Sequence, residues 1–270
     1  MTIGHDFNAL LEEAERRPFV GWDVSYDQRI RITPPWDFGA IVDAHARLSP
    51  DLLDLGTGGG EWLSERPHLP TRTVATEGWS PNVPVARARL EPRGIDVIAA
   101  HGAPDNIDQE DFSPEGILPF PADDFHLVIS RHESYVPSEV LRVLAPGGIF
   151  LTQQVASSGA DDFYRLFDAP APSVPVAWDL AFAVRQLERA GFTVTEKAEG
   201  FETIEFADVG ALAWYLKNLP FVYPDFSIAA ARQKLHRLHA DDRRAGSLTI
   251  RQPLFWLKAV APGATGPRRP

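Results

Sequence analysis

The spacing of apolar residues along this chain changes period several times, and the changes mark out elements. Short apolar runs at Leu52–Leu55, Thr73–Thr76, Ile95–Ala100, Leu127–Ser130 and Ile149–Val155 read as strands. Between them Glu61–Arg66, Val83–Leu90 and Ser138–Leu144 have the length of crossover helices. Strands alternating with helices in this way predict an α/β fold with βαβ units and a mostly parallel sheet. A clearer helix spans Trp178–Ala190, where Leu180, Val184 and Leu187 share one face and Gly191 supplies a stop. Phe192-Thr-Val-Thr then alternates as a strand. Asp208 is placed to cap a helix carrying Val209, Leu212 and Leu216, and Ser227 a second one through Leu238, before a last strand over Leu248–Val260.

Residues 1–48 read differently, as a helical N-terminal extension broken by Pro18, Pro34 and Pro35, with Phe38, Ile41, Val42 and Leu48 on one apolar face. The predicted organisation is therefore a lid-like extension over 1–48 and an α/β domain over 49–260. That domain carries an inserted lid at about 207–246. The Pro/Gly-rich tail 261–270 is expected to be disordered.

Composition narrows the chemistry. The 270 residues include no Cys, which removes disulfide scaffolds, Cys-ligated zinc, iron–sulfur clusters and thiol nucleophiles. Twenty-six basic against thirty-seven acidic residues give a net charge of −11, which disfavours sequence-independent gripping of phosphate backbones. No run approaches the roughly 18 to 20 apolar residues of a membrane span, and the first residues lack the layout of a secretory signal, so a cytoplasmic location is expected. His236 and His239, with Asp241 nearby, have no further ligand spaced to complete a metal site, so no metal is expected there.

The most informative segment is Leu52-Leu53-Asp54-Leu55-Gly56-Thr57-Gly58-Gly59-Gly60-Glu61. An apolar strand meets an acidic residue and then glycines at alternate positions. Such a strand-to-helix turn lets a ligand touch the backbone. A dinucleotide fingerprint, GxGxxG, fails here: counted from Gly56, its third glycine is Glu61, whose charge repels a pyrophosphate. The pattern DxGxGxG fits at Asp54, Gly56, Gly58 and Gly60.

That pattern resembles the class I S-adenosylmethionine-dependent methyltransferases. Three further segments repeat the resemblance in order: Thr76-Glu77-Gly78-Trp79, then Leu118-Pro-Phe-Pro-Ala-Asp-Asp-Phe-His-Leu-Val-Ile-Ser, then Glu139-Val-Leu-Arg-Val-Leu-Ala-Pro-Gly-Gly-Ile-Phe. A narrower likeness, to bacterial methyltransferases of unsettled substrate, rests on Pro81-Asn82, Arg131-His132-Glu133, Thr152-Gln153-Gln154-Val155 and the segment from Asp208 to Lys217. The resemblance implies a Rossmann-like, doubly wound, seven-stranded sheet whose last strand is antiparallel. It also implies S-adenosyl-L-methionine as cofactor, held by Asp54, Gly56, Thr57, Gly58 and Gly60 at the turn, with Glu77 on the ribose. Gly78, Trp79 and Arg131 are expected beside it, and Ala103 and Asp105 near the adenine. Two departures stand out: His126 replaces the usual Asp of the fourth-strand segment, and His101–Gly116 is longer than the usual loop.

At the acceptor end, after the fourth strand, the chain reads Ser130-Arg131-His132-Glu133. His132 is the candidate base or orienting group, Glu133 its tautomer-setting partner or an acceptor contact, and Arg131 an anchor. The plainer alternative is an Arg131–Glu133 ion pair holding the loop, with His132 structural. Either Gln153 or Gln154 can face the pocket, by period 2, and Gln154 is taken as the substrate contact. Trp22 and Tyr26 in the extension and Trp214 and Tyr215 in the insertion offer rings for a flat acceptor, or a small core beneath a lid. The expected function is methyl transfer by in-line displacement to a small organic acceptor, by a monomer or homodimer. RNA or protein methylation on the same scaffold, and cofactor binding without turnover, are the alternatives.

Overall fold

The computed structural model describes residues 6–103, 106, 116–157, 161–172, 176–245 and 248–263. Eight strands form one sheet: β1 (Ile30–Thr33), β2 (Asp51–Leu55), β3 (Arg72–Glu77), β4 (Asp96–Ala99), β5 (Phe125–Arg131), β6 (Leu144–Val155), β7 (Thr193–Phe206) and β8 (Leu248–Val260). Their spatial order is β4-β3-β2-β5-β6-β8-β7-β1. β2, at the centre, is buried at every position, as a strand covered on both faces must be. It runs parallel to β3 and β5, and β4 and β6 extend the parallel set on either side. β8 is antiparallel to both β6 and β7, which gives the reversed last strand expected from sequence.

The count of eight corrects the expected seven. β1 lies in the extension read as helix and loop, and pairs Ile30–Thr33 antiparallel to Thr203–Phe206. Its four residues alternate only twice before Pro34, too short a signal to separate from a loop. The pairing uses the outer edge of the long β7, in the part of the β7–β8 hairpin that projects beyond β6, which covers β8 only from Leu254 onward.

Nine helices flank the sheet among the described residues: α1 (Phe7–Arg16), α2 (Phe38–Ala46), α3 (Glu61–Ser64), α4 (Val83–Leu90), α5 (Pro137–Val143), α6 (Asp162–Leu166), α7 (Leu180–Ala190), α8 (Val209–Asn218) and α9 (Ile228–Ala245). Period 2 along the central strands sorts the core into two faces. Leu127, Ile129 and Leu151 pack with Val42, Leu63 and Ala86 from α2, α3 and α4. Val128 and Phe150 pack on the other face with Val140 of α5 and Leu187 of α7. A third core lies where the hairpin projects, with Ile204, Phe206 and Ile250 against Leu10, Leu212 and Leu235.

Capping follows the sequence closely. The Asp208 carboxylate accepts from the Gly210 and Ala211 N–H groups, at 2.8 and 3.0 Å. Ser227 Oγ accepts from Ala230 N–H, and Gly191 ends α7 at φ 107°. Leu48, placed on the apolar face of the second helix, is instead 87% exposed, because α2 ends at Ala46 and the chain turns away. His126, the departure in the fourth-strand segment, is structural: its N–H donates to Asp51 Oδ1 at 2.6 Å and its Nδ1 lies 3.0 Å from Oδ2. No helix among the described residues is long and apolar enough to cross a membrane. The tail from residue 264 onward lies outside the described residues.

Candidate functional site

A cleft of about 1080 Å³ opens where β2, β3 and β5 end, at the carboxyl edge that open α/β sheets use for ligands. The turn after β2 forms its floor. Gly56 and Gly58 hold φ of 67° and 64°, in the left-handed region that disfavours other residues. Close approach reinforces the requirement. A Cβ on Gly56 would stand 2.4 Å from Glu133 Cγ, and one on Gly58 would stand 2.8 Å from Trp22 Cβ. The turn is braced by β3: Thr57 N–H donates to Thr76 O at 2.8 Å, and Gly56 N–H to Thr76 Oγ1 at 3.2 Å.

Three carboxylates converge on this floor. Asp54 and Glu77, at the ends of β2 and β3, are 3% and 6% exposed, and Glu133 reaches in from the turn after β5. Burial drives the Asp54 pKa up to about 7, opposed only in part by the Thr57 hydroxyl and Arg131. Burial, with repulsion from Glu77 and Asp54, raises Glu133 to about 7 as well. Glu77 is also raised by burial, although the Trp79 N–H donates to its Oε1 at 2.8 Å. Carboxylates raised in this way, gathered in one cleft, are the complement of a cationic ligand. Glu61, the residue that spoils the dinucleotide fingerprint, is not a free member of the group; it is ion-paired with Arg89, which also donates to Gly59 O.

Most of the residues singled out in the sequence meet at this cleft. Asp54, Gly56, Thr57 and Gly58 line it, as do Glu77, Gly78 and Trp79, and so do Ala103, Arg131, His132 and Glu133. Trp22 lines it from the N-terminal segment, over Gly58. Gly60 stands behind the wall at φ 77° as the N-cap of α3, and Asp105 lies outside the described residues.

The other aromatic candidates are elsewhere. Tyr26 stacks on Trp214 with ring centroids 4.7 Å apart, and the Trp214 indole N–H donates to Arg17 O at 3.2 Å. Tyr215 packs against Phe163 and Phe206. All three belong to the core under the projecting hairpin, since α8 is apolar all round and is buried at eight of its ten positions. Gln154 is also off the cleft wall. Strand alternation sends it to the α5–α7 face, where its Nε2 donates to Glu133 O at 2.9 Å and Thr152 Oγ1 at 2.8 Å.

Gln153 is the glutamine that meets the acceptor-end residues. Its Nε2 lies 3.2 Å from His132 Nε2, and its Oε1 accepts from the Trp36 indole N–H at 2.8 Å. His132 itself adopts φ 66° and its N–H donates to Gln153 O at 2.9 Å. Burial holds its pKa well below the usual histidine value, and Arg131 adds to the effect. Thus Gln153, not Glu133, is the neighbour that sets the imidazole. Nor is there an Arg131–Glu133 ion pair. The Arg131 guanidinium lies 5.6 Å from the Trp62 ring centroid, and Glu202 is the carboxylate that acts most strongly on it.

Sequence reasoning missed several cleft residues. Trp62 and Leu63 follow the glycine turn on α3, Asn82 precedes α4, and Ile30 and Ile32 come from β1. Asn82 belongs to one of the quoted segments and was there to be found. Ile30 and Ile32 had no signal apart from the strand that was read as loop.

No protein-family model matches the chain, and no curated protein sequence matches it. Solved structures do. A protein of Bacillus halodurans C-125, described as a candidate methyltransferase, is 20% identical at a TM-score of 0.54, with 83% of this chain and 98% of that one covered. The YcgJ protein of Bacillus subtilis is 16% identical at a TM-score of 0.52, over 84% and 98% of the two chains. A functionally unknown protein of Deinococcus radiodurans R1 is 16% identical at 0.50, over 85% and 90%. Together with the strand order, the reversed β8 and the cleft over the first crossover, these likenesses establish that the chain has the Rossmann-like fold of class I methyltransferases, widened by one strand.

Proposed function

We propose that this protein is an S-adenosylmethionine-dependent methyltransferase acting on a small organic acceptor. The observation that carries the reading is the acidic floor of the cleft. Asp54, Glu77 and Glu133 crowd beside an open glycine turn, and burial raises the pKa of all three, so a cationic ligand set among them favours their charged forms. A nucleotide phosphate placed there meets three carboxylates. A ligand with an ammonium, a sulfonium and ribose hydroxyls meets groups that want each of them.

The fit can be taken residue by residue. The Gly56–Gly58 turn and Asp54 suit the aminoacyl end, and Glu133, packed between Gly56 and Gly102, suits its ammonium. Glu77 accepts from the Trp79 N–H at 2.8 Å and is held further by the Gly58 and Gly78 N–H groups, a fixed carboxylate on the cleft wall that suits ribose hydroxyls. Trp79, 52% exposed, borders the same side for the adenine. When bound, the cofactor supplies an electrophilic methyl group on a cationic sulfur. The chain's own contribution is to hold the acceptor in line with it and keep water out. Trp62, Ile30 and Ile32 line the same cleft with apolar surface, which together with the net charge of −11 favours a small acceptor over a nucleic acid.

Calorimetry tests the cofactor assignment. S-adenosylmethionine and its demethylated product are expected to bind, NADH and ATP are not, and Glu77→Ala is expected to weaken cofactor binding at least about tenfold. Binding of the nucleotides in place of the sulfonium cofactor, by a folded chain, refutes the assignment. Turnover of a methyl group separates an enzyme from a protein that merely holds the cofactor.

A further inference from the structure

The hydrogen bonds around His132 have only one consistent direction. An indole nitrogen donates and never accepts, so Trp36 forces the oxygen of the Gln153 amide toward itself, at 2.8 Å. The amide nitrogen then faces His132 Nε2, at 3.2 Å, and it too can only donate. His132 Nε2 must therefore be the acceptor, and the neutral ring carries its proton on Nδ1. That Nδ1 is buried and has no hydrogen-bond partner among the described residues. A buried donor left unpaired costs about 1–3 kcal/mol, and a non-glycine residue at φ 66° adds backbone strain. Both costs fall on a residue that lines the cleft beside Arg131, whose guanidinium has no ion-pair partner within 4.0 Å among the described residues.

We propose that Trp36 and Gln153 are positioning residues that lock His132 as an Nδ1–H donor, and that binding of the methyl acceptor uncovers this buried donor, which with Arg131 then receives one of its oxygens. The acceptor class is then one bearing a carboxylate, a phenolate or a carbonyl, and His132 orients it without removing its proton. The inference rests on the methyl-transfer reading for the identity of the ligand, but the relay itself does not.

The test uses the whole chain, with nitrogen-labelled histidine and long-range proton–nitrogen correlation spectra. His132 is expected as the Nδ1–H tautomer with no titration across about pH 5.5 to 8. Acetate and benzoate, added with the demethylated cofactor, are expected to shift the Nδ1–H signal saturably, and benzylamine is not. Gln153→Glu replaces the amide by a carboxylate that accepts from both neighbours, so it is expected to reverse the tautomer to Nε2–H and weaken benzoate binding at least about tenfold. Cofactor affinity is expected to stay within about twofold. Trp36→Phe removes only the lock and is expected to give a mixture of tautomers.

An Nε2–H tautomer in the wild type overturns the relay. A Nδ1–H signal that moves with benzylamine but not with either carboxylate overturns the acceptor class. Carboxylate binding with an intact relay but no S-adenosylmethionine binding overturns the assignment to a methyl acceptor and leaves the relay standing, so the two failures are distinguishable.

Discussion

Replacing Glu133 by Gln isolates the electrostatic cost of the acidic floor. The carboxyl rises from an ordinary 4.5 to about 7, through burial first and then through Glu77 and Asp54. A group whose folded pKa lies above its unfolded one binds its proton more tightly when folded, so its ionisation opposes folding. No cost is present below about pH 4.5; it grows up to about pH 7 and is constant above. A rise of that size corresponds to about 3 kcal/mol at 1.4 kcal/mol per tenfold. Gln keeps the shape without the charge but must satisfy its own amide, which lowers the expected gain to about 1–3 kcal/mol. Urea denaturation of wild type and Glu133→Gln is expected to give nearly equal stabilities at about pH 5 and a more stable variant at about pH 8. The cation-binding role predicts the opposite effect on function, with weaker S-adenosylmethionine binding in the same variant and loss of the proton release that accompanies binding near neutral pH. A stability difference that is the same at both pH values, or that favours wild type at the higher one, refutes the reasoning.

Two further substitutions probe the frame around the site. Gly56→Ala combines a φ of 67° with a Cβ 2.4 Å from Glu133 Cγ; it is expected to cost about 1–3 kcal/mol in a denaturant titration and to abolish measurable cofactor heat. Asp208→Ala removes the cap of α8 and both bonds from Arg29, at 2.9 and 2.6 Å, leaving the half-buried guanidinium with Glu13 alone as its carboxylate partner, at 3.2 Å. It is expected to lower stability by about 2–4 kcal/mol while the cofactor affinity of the folded fraction stays unchanged.

Much of this architecture was legible because it is written in local patterns. The parallel strands are apolar runs of the right length, the helices carry their stops and caps in Gly191, Asp208 and Ser227, and the first crossover announces itself through glycines at alternate positions. Asp54, Glu77 and the Arg131-His132-Glu133 segment could be placed at one edge of the sheet because each directly ends or follows a strand, and strand ends meet there whatever the loops do. What needed the tertiary structure were facts of pairing between residues far apart in the chain. β1 becomes a strand only because β7 is long and its outer edge, away from β8, is open for Ile30–Thr33 to pair with. Tyr26, Trp214 and Tyr215 are core and not cleft because α8 is enclosed on every side, which depends on three elements packing at once. Trp36, Gln153 and His132 are separated by more than a hundred residues at one step, and no spacing rule brings an indole to that amide. Sequence period decides which face a side chain takes; only the assembled layers decide what stands opposite it, and the direction of a hydrogen bond follows from that neighbour.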